Sequence, residues 1–156
     1  MIPDLVSIDW LATLRVGLVT AVLAASAYPV AANPTSGERE WRTAECVAAL
    51  DARADDLVRQ SKSGIAEARP VLLVTLNAGA AFIGQAYLQG ERDEARSQAQ
   101  LSAAKEAQKS LSITELTERQ ASCTQEGTRL LAETNALGRL VIARLVDRRM
   151  QKLLGE

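Results

Sequence analysis

The side chains that could do chemistry in this chain are few, and the most informative count among them is zero histidines. Histidine is the usual general base near neutral pH, the commonest transition-metal ligand and a haem axial ligand. Without it, Ser-His-Asp and Cys-His catalysis, His-ligated zinc and the C-x-x-C-H haem attachment all fall away. Two isolated cysteines, Cys46 and Cys123, cannot make a four-thiolate metal site. Carboxylate groups at Asp55-Asp56, Glu91/Asp93/Glu94 and Glu115/Glu118 qualify for acid–base work by residue type only. They fall in helix first turns or on polar faces, where capping and solvation account for them. No Gly-rich phosphate loop, calcium loop or aromatic–basic nucleic-acid pattern occurs. The expectation is a protein that is not an enzyme, with no catalytic residue, no metal, no cofactor and no nucleic-acid partner.

Two polar constellations remain. Asn77, Ala81, Gln85 and Gln89 recur every four residues in an otherwise apolar stretch. Buried amides need partners, and Thr134 and Asn135 are the partners to expect. The set makes either a structural hydrogen-bond network or a polar-lined pocket for a small apolar ligand. The second constellation is Arg144, Arg148 and Lys152 at i, i+4 spacing, interleaved with Leu145, Val146, Met150, Leu153 and Leu154. A basic amphipathic helix of this kind suits an acidic partner or an anionic membrane surface. Cations at a helix C-terminus are also what the helix dipole favours, so a solvated helix end reads equally from the same residues.

The elements that must position these groups are helical by composition. Of the 156 residues 47% are hydrophobic but only 3% aromatic; alanine and leucine carry most of the apolar content, and both favour helix. Net charge is −1, which argues for no strong global field.

Residues 1–32 have the layout of a secretory signal peptide. Arg15 precedes the apolar run Val16–Ala27, Tyr28-Pro29 breaks it, and Val30-Ala31-Ala32 places small residues before Asn33. Cleavage is expected after Ala32, or alternatively after Ala27, leaving residues 33–156 as a single helical domain. An uncleaved inner-membrane anchor is the alternative, but about 15 apolar residues fall short of the ~20 that span a bilayer. Periplasmic or secreted localisation follows, and in an oxidising compartment Cys46 and Cys123 are candidates for one disulfide.

Capping boxes at Thr35/Glu38 and Ser112/Glu115, with boundaries at Ser63-Gly64, Arg69-Pro70 and Gln89-Gly90, predict helices over 36–64, 70–89, 91–110 and 113–154. Their arrangement should be an antiparallel, up-down four-helix bundle with a protruding C-terminal end. Leu116, Cys123, Gly127, Leu130, Leu137, Val141 and Leu145 form the inward stripe predicted for the last helix, where Gly127 and Gly138 permit a close contact or a bend. Val71–Leu88 carries no formal charge and reads as the central buried helix, or else as a membrane span at 71–88.

One conflict is built into this arrangement. If the first and last helices run antiparallel, the two cysteines lie about 12 Å apart along the axis, whereas a disulfide tolerates no more than about 7 Å between Cα atoms. Either the third helix turns back early or the bridge is not intramolecular. The function expected is an exported interaction or accessory module of the bacterial cell envelope, with protein partners and a possible peripheral membrane contact through the C-terminal helix. The alternatives are a helical bundle holding a small apolar ligand, and a membrane protein spanning at 71–88.

Overall fold

The computed structural model describes residues 35–155, and every regular element among them is a helix. The signal peptide expected at 1–32 lies outside the described residues. Five helices follow in order: α1 Ser36–Lys62, α2 Ala68–Leu88, α3 Glu94–Gln108, α4 Ile113–Glu133 and α5 Ala136–Leu154.

Local chemistry accounts for most of the boundaries. At both α1 and α4 a reciprocal capping box forms: the Thr35 hydroxyl accepts from the Glu38 N–H while the Glu38 carboxylate accepts from the Thr35 N–H at 2.6 Å, and Ser112 with Glu115 does the same. Asp93 caps α3 by accepting from the Arg96 N–H at 3.0 Å. Beyond α1 and α2 the chain turns through Gly64 and Gly90 at φ +91° and +92°, a left-handed conformation that glycine adopts without steric cost.

The core is built on α1 and α2. Cys46, Leu50, Ala78, Phe82 and Cys123 form one buried cluster; Ala54, Leu57, Ala68 and Leu72 join Leu76, Ile142, Val146 and Met150 in a second. The alanine-rich α3 docks on α1 through Ala104 against Ala44 and Ala48. It buries only Ala104 and Gln108, so it adds little apolar area. On α4 the buried residues are Gln120, Cys123 and Gly127. Gly127 lies so close to α2 that a Cβ placed there would sit 2.6 Å from the Ala78 carbonyl oxygen.

Two expectations are corrected here. The segment predicted as one helix over 113–154 is two helices, so the described chain has five rather than four. Thr134 leaves α4 in extended backbone (φ −69°, ψ 140°), and Asn135 starts α5 by accepting from the Gly138 N–H at 2.8 Å. Glycine at 138 fits this corner, because a Cβ there would fall 2.6 Å from Thr134 Cγ2. The C-terminal end therefore does not protrude. It turns back and packs Ile142, Val146 and Met150 onto α1 and α2.

The break also shifts the helical phase, which is the second correction. Leu137, Val141 and Leu145, predicted to continue the inward stripe of α4, are exposed, whereas Ile142, Val146 and Met150 are buried. A stripe extrapolated at 3.6 residues per turn holds only while the helix is unbroken.

The cysteines meet. Cys46 and Cys123 sit at disulfide distance, Cα–Cα 5.2 Å. Of the two ways out of the conflict, the early turn of the third helix is the one found. α3 has 15 residues, about 22 Å of helix, and at its end Gln108 Nε2 donates to the Glu45 carbonyl at 3.0 Å, next door to Cys46. The following turn delivers α4 near the middle of α1, where Arg119 pairs with Glu45 and Arg42 with Glu126, both at 3.0 Å.

Candidate functional site

The long apolar helix α2 is only partly used by the core. Ala68, Leu72, Thr75, Leu76, Ala78, Ala81 and Phe82 are buried, yet Val74, Ile83, Tyr87 and Leu88 remain exposed, Leu88 at 77%. By length and composition α2 is the one described helix able to cross a membrane, and 39% of its apolar window is buried within the protein.

Opposite its C-terminal half stands α5, and between them opens an apolar groove of about 830 Å³. Its shape follows from residue size. Gly79, Ala80 and Gly84 of α2 leave a recessed floor, with Ile142 in ordinary contact over Gly84 (3.9 Å from a Cβ placed there). Ile83, Tyr87 and Leu88 make the α2 wall, Leu137, Val141 and Leu145 the α5 wall, and Val47 and Leu50 of α1 close one side. Leu137 is 72% exposed, and Tyr87, Val141 and Leu145 are each more than half exposed. A contiguous apolar surface of this kind on a small protein marks an interaction site.

Both ends of the groove are polar. At one, Asp51 accepts ion pairs from Arg149 (2.8 Å) and Lys105 (2.6 Å), tying α1 to α5 and α3. At the other lie Gln85, Glu133, Thr134 and Asn135. Thr134 and Asn135 are committed to local backbone, Thr134 Oγ1 donating to the Leu130 carbonyl and Asn135 capping α5. Gln85 lines the groove beside them, while Asn77 is half-buried on α2 outside its lining. Three of the five amide and hydroxyl residues singled out from the sequence thus come together at one end of the groove, and Gln89, exposed at the end of α2, lies outside its lining with Asn77.

The basic constellation divides. Arg144, Arg148 and Lys152 are exposed on α5, whereas Leu153 and Leu154 are half-buried against the core. The other two α5 cations are engaged: Arg149 with Asp51, and Arg139 with the Ala132 and Thr134 carbonyls closing α4.

A smaller polar notch of about 210 Å³ lies between the start of α1 and the α2–α3 turn, around Arg39, Glu40, Glu91 and Arg96. Glu40 pairs with Arg96 at 2.5 Å and accepts from Gln100 at 3.1 Å. Burial, and secondarily the like charge of Glu40, push the Glu91 carboxyl above its ordinary value. The capping carboxylates move the other way: hydrogen bonds from Thr35 hold Glu38 below the ordinary range, and those from Ser112 hold Glu115 below it. Among the described residues no cluster of Cys, Asp or Glu is disposed to hold a metal ion.

Sequence reasoning missed the groove itself. Periodicity alone puts Val141 and Leu145 inward and buries α2 nearly all round. The available signal was Thr134-Asn135 followed by Gly138, an N-cap residue ahead of a fresh apolar period at Ile142, Val146 and Met150. Comparison with protein-family models, curated proteins and solved structures finds no match to this chain.

Proposed function

We propose that the chain is a non-enzymatic binding module of the bacterial cell envelope that receives an apolar partner segment in the groove between α2 and α5. Export by the signal peptide at 1–32 places it in the periplasm or outside the cell. The observation that carries the reading is the groove. Large apolar side chains stand exposed on two facing helices above a floor of small residues, an arrangement that leaves burial energy to be recovered by an incoming surface. The Cys46–Cys123 pair supports an oxidising destination. The lack of histidine in the sequence supports a binding rather than a catalytic role.

The direct test places a photo-crosslinking residue at Leu88, and separately at Val141, in the native host. One partner protein common to both positions is expected. It should be absent from a control crosslinker at Ser102, on α3, and lost when Leu145 is changed to Asp. Crosslinks that are diffuse, or indifferent to Leu145→Asp, would refute the proposal.

A second reading, a small apolar ligand in the same groove, is favoured by its volume, which falls within the ~300–1,000 Å³ usual for ligand sites. Native mass spectrometry of protein from its host would show a reproducible added mass under that reading. Under the first reading the mass is that of the chain alone.

A further inference from the structure

We infer that the groove's occupant is an amphipathic helix of another protein carrying a row of Asp or Glu beside its apolar stripe; this rests on the binding-module reading above. The charges along α5 carry the inference. Of its five cations, Arg139 and Arg149 are engaged within the protein. Arg144, Arg148 and Lys152 are exposed and take part in no ion pair among the described residues. Spaced four apart, they form one row on the helix surface, directly alongside the row of Val141 and Leu145 that walls the groove. Nearby acids offset them only in part: Asp147, on α5 itself three residues after Arg144, lies on the side of the row away from Val141 and Leu145. Asp51 is taken by Lys105 and Arg149, Glu133 by Arg129, and α2 contributes no carboxylate at all. The apolar groove therefore has a rim of net positive charge, about 12 Å long from Arg144 to Lys152.

A helix is the shape that fits. The apolar side chains are walls of a concavity whose floor, at Gly79 and Gly84, is recessed; a helix of ~10 Å diameter enters such a groove with anchors at i, i+3/i+4 and i+7. A planar bilayer meets the rim and leaves the floor unfilled. A second copy of the chain fits no better, because a two-fold interface sets a patch against itself and would bring two cationic rows together. Carboxylates at i, i+4 and i+8 of the partner match the spacing of the row, adding on-rate and orientation to the apolar contact.

The test uses the full chain with its cysteines paired and two fluorescent synthetic helices of about 18 residues, roughly five turns. Both carry the same Leu/Ala stripe; one has Glu and the other Lys on its polar side. Phosphatidylglycerol-containing vesicles are the third probe. By anisotropy the Glu peptide should bind about tenfold or more tightly than the Lys peptide at low salt, with the gap narrowing as salt rises. Reversing Arg144→Glu, Arg148→Glu and Lys152→Glu should invert the order; acidic charge at the C-terminal end of α5 lowers the melt slightly, and the helical circular dichroism signal at the assay temperature should match that of the parent, since all three positions are exposed.

Equal binding of the two peptides would overturn the acidic partner and leave the groove reading standing. Failure of both peptides would overturn the helical occupant and count against the groove reading as well. Binding to vesicles with neither peptide bound would replace the protein partner by an anionic lipid surface.

Discussion

Gly127 is where the sequence and the packing are most tightly coupled, and replacing it by alanine tests the account of α4 against α2. A methyl group at this position would lie 2.6 Å from the Ala78 carbonyl oxygen, 2.7 Å from Ala78 Cβ and 2.8 Å from Ala78 Cα. Two of these three atoms belong to backbone, so no rotamer change relieves the clash and the helices themselves must separate. Overpacking of this kind costs about 1–3 kcal/mol, and an immovable neighbour argues for the upper part of that range. Alanine recovers about 1 kcal/mol of helix propensity, leaving a net loss of roughly 1–2 kcal/mol. Gly84→Ala is the matched control, since its Cβ meets only Ile142 Cδ1 at 3.9 Å. That variant keeps the propensity gain without the clash and should be as stable as the parent or up to about 1 kcal/mol more so. The two variants thus differ by roughly 1–3 kcal/mol, and in urea titrations followed by circular dichroism, at ~1–3 kcal/mol per molar, their midpoints should lie on the order of 1 M apart. Coincident midpoints, or a Gly127→Ala midpoint above that of Gly84→Ala, would refute the close approach of α4 to α2.

Joining residues 77 apart, the cysteine pair should stabilise by about 4 kcal/mol in the chain-entropy account. Cys46→Ala with Cys123→Ala should therefore lower the melting temperature by more than about 10 °C, and equal melts would exclude the bridge. Asn135→Ala removes the cap of α5 and should cost about 1 kcal/mol, with amide exchange accelerating first in residues 136–154; uniform acceleration would mean that α5 is not a separable unit. Glu91, raised by burial and then by Glu40, favours folding in its protonated form, a contribution present below the ordinary glutamate value and lost as pH rises through the folded one. Glu91→Gln should accordingly stabilise the protein at neutral pH and lose that advantage in acid, which paired melts across pH would show. Glu38 and Glu115 act in the opposite sense. Their depressed values mean a contribution present above the ordinary carboxylate range and lost as pH falls through the folded values, so Glu115→Gln should matter at pH 7 and not in strong acid.

What could be read from residues alone was whatever neighbours in the chain decide. Helical class followed from alanine and leucine content, and the starts of α1 and α4 from Thr35/Glu38 and Ser112/Glu115, because a capping box is closed within four residues. The same local logic places the turns at Gly64 and Gly90. Tertiary structure decided how far α3 runs before turning back, and with it the meeting of Cys46 and Cys123. It also decided which face of the last segment is inward. The corner at Thr134-Asn135 resets the phase, so Ile142, Val146 and Met150 go to the core while Leu137, Val141 and Leu145 stand out on the groove wall. The physical reason is that capping is a contest between adjacent groups, whereas burial is settled by which distant helix arrives to cover a face. Periodicity reports that an apolar face exists, and only packing determines whether this protein covers it or leaves it for another.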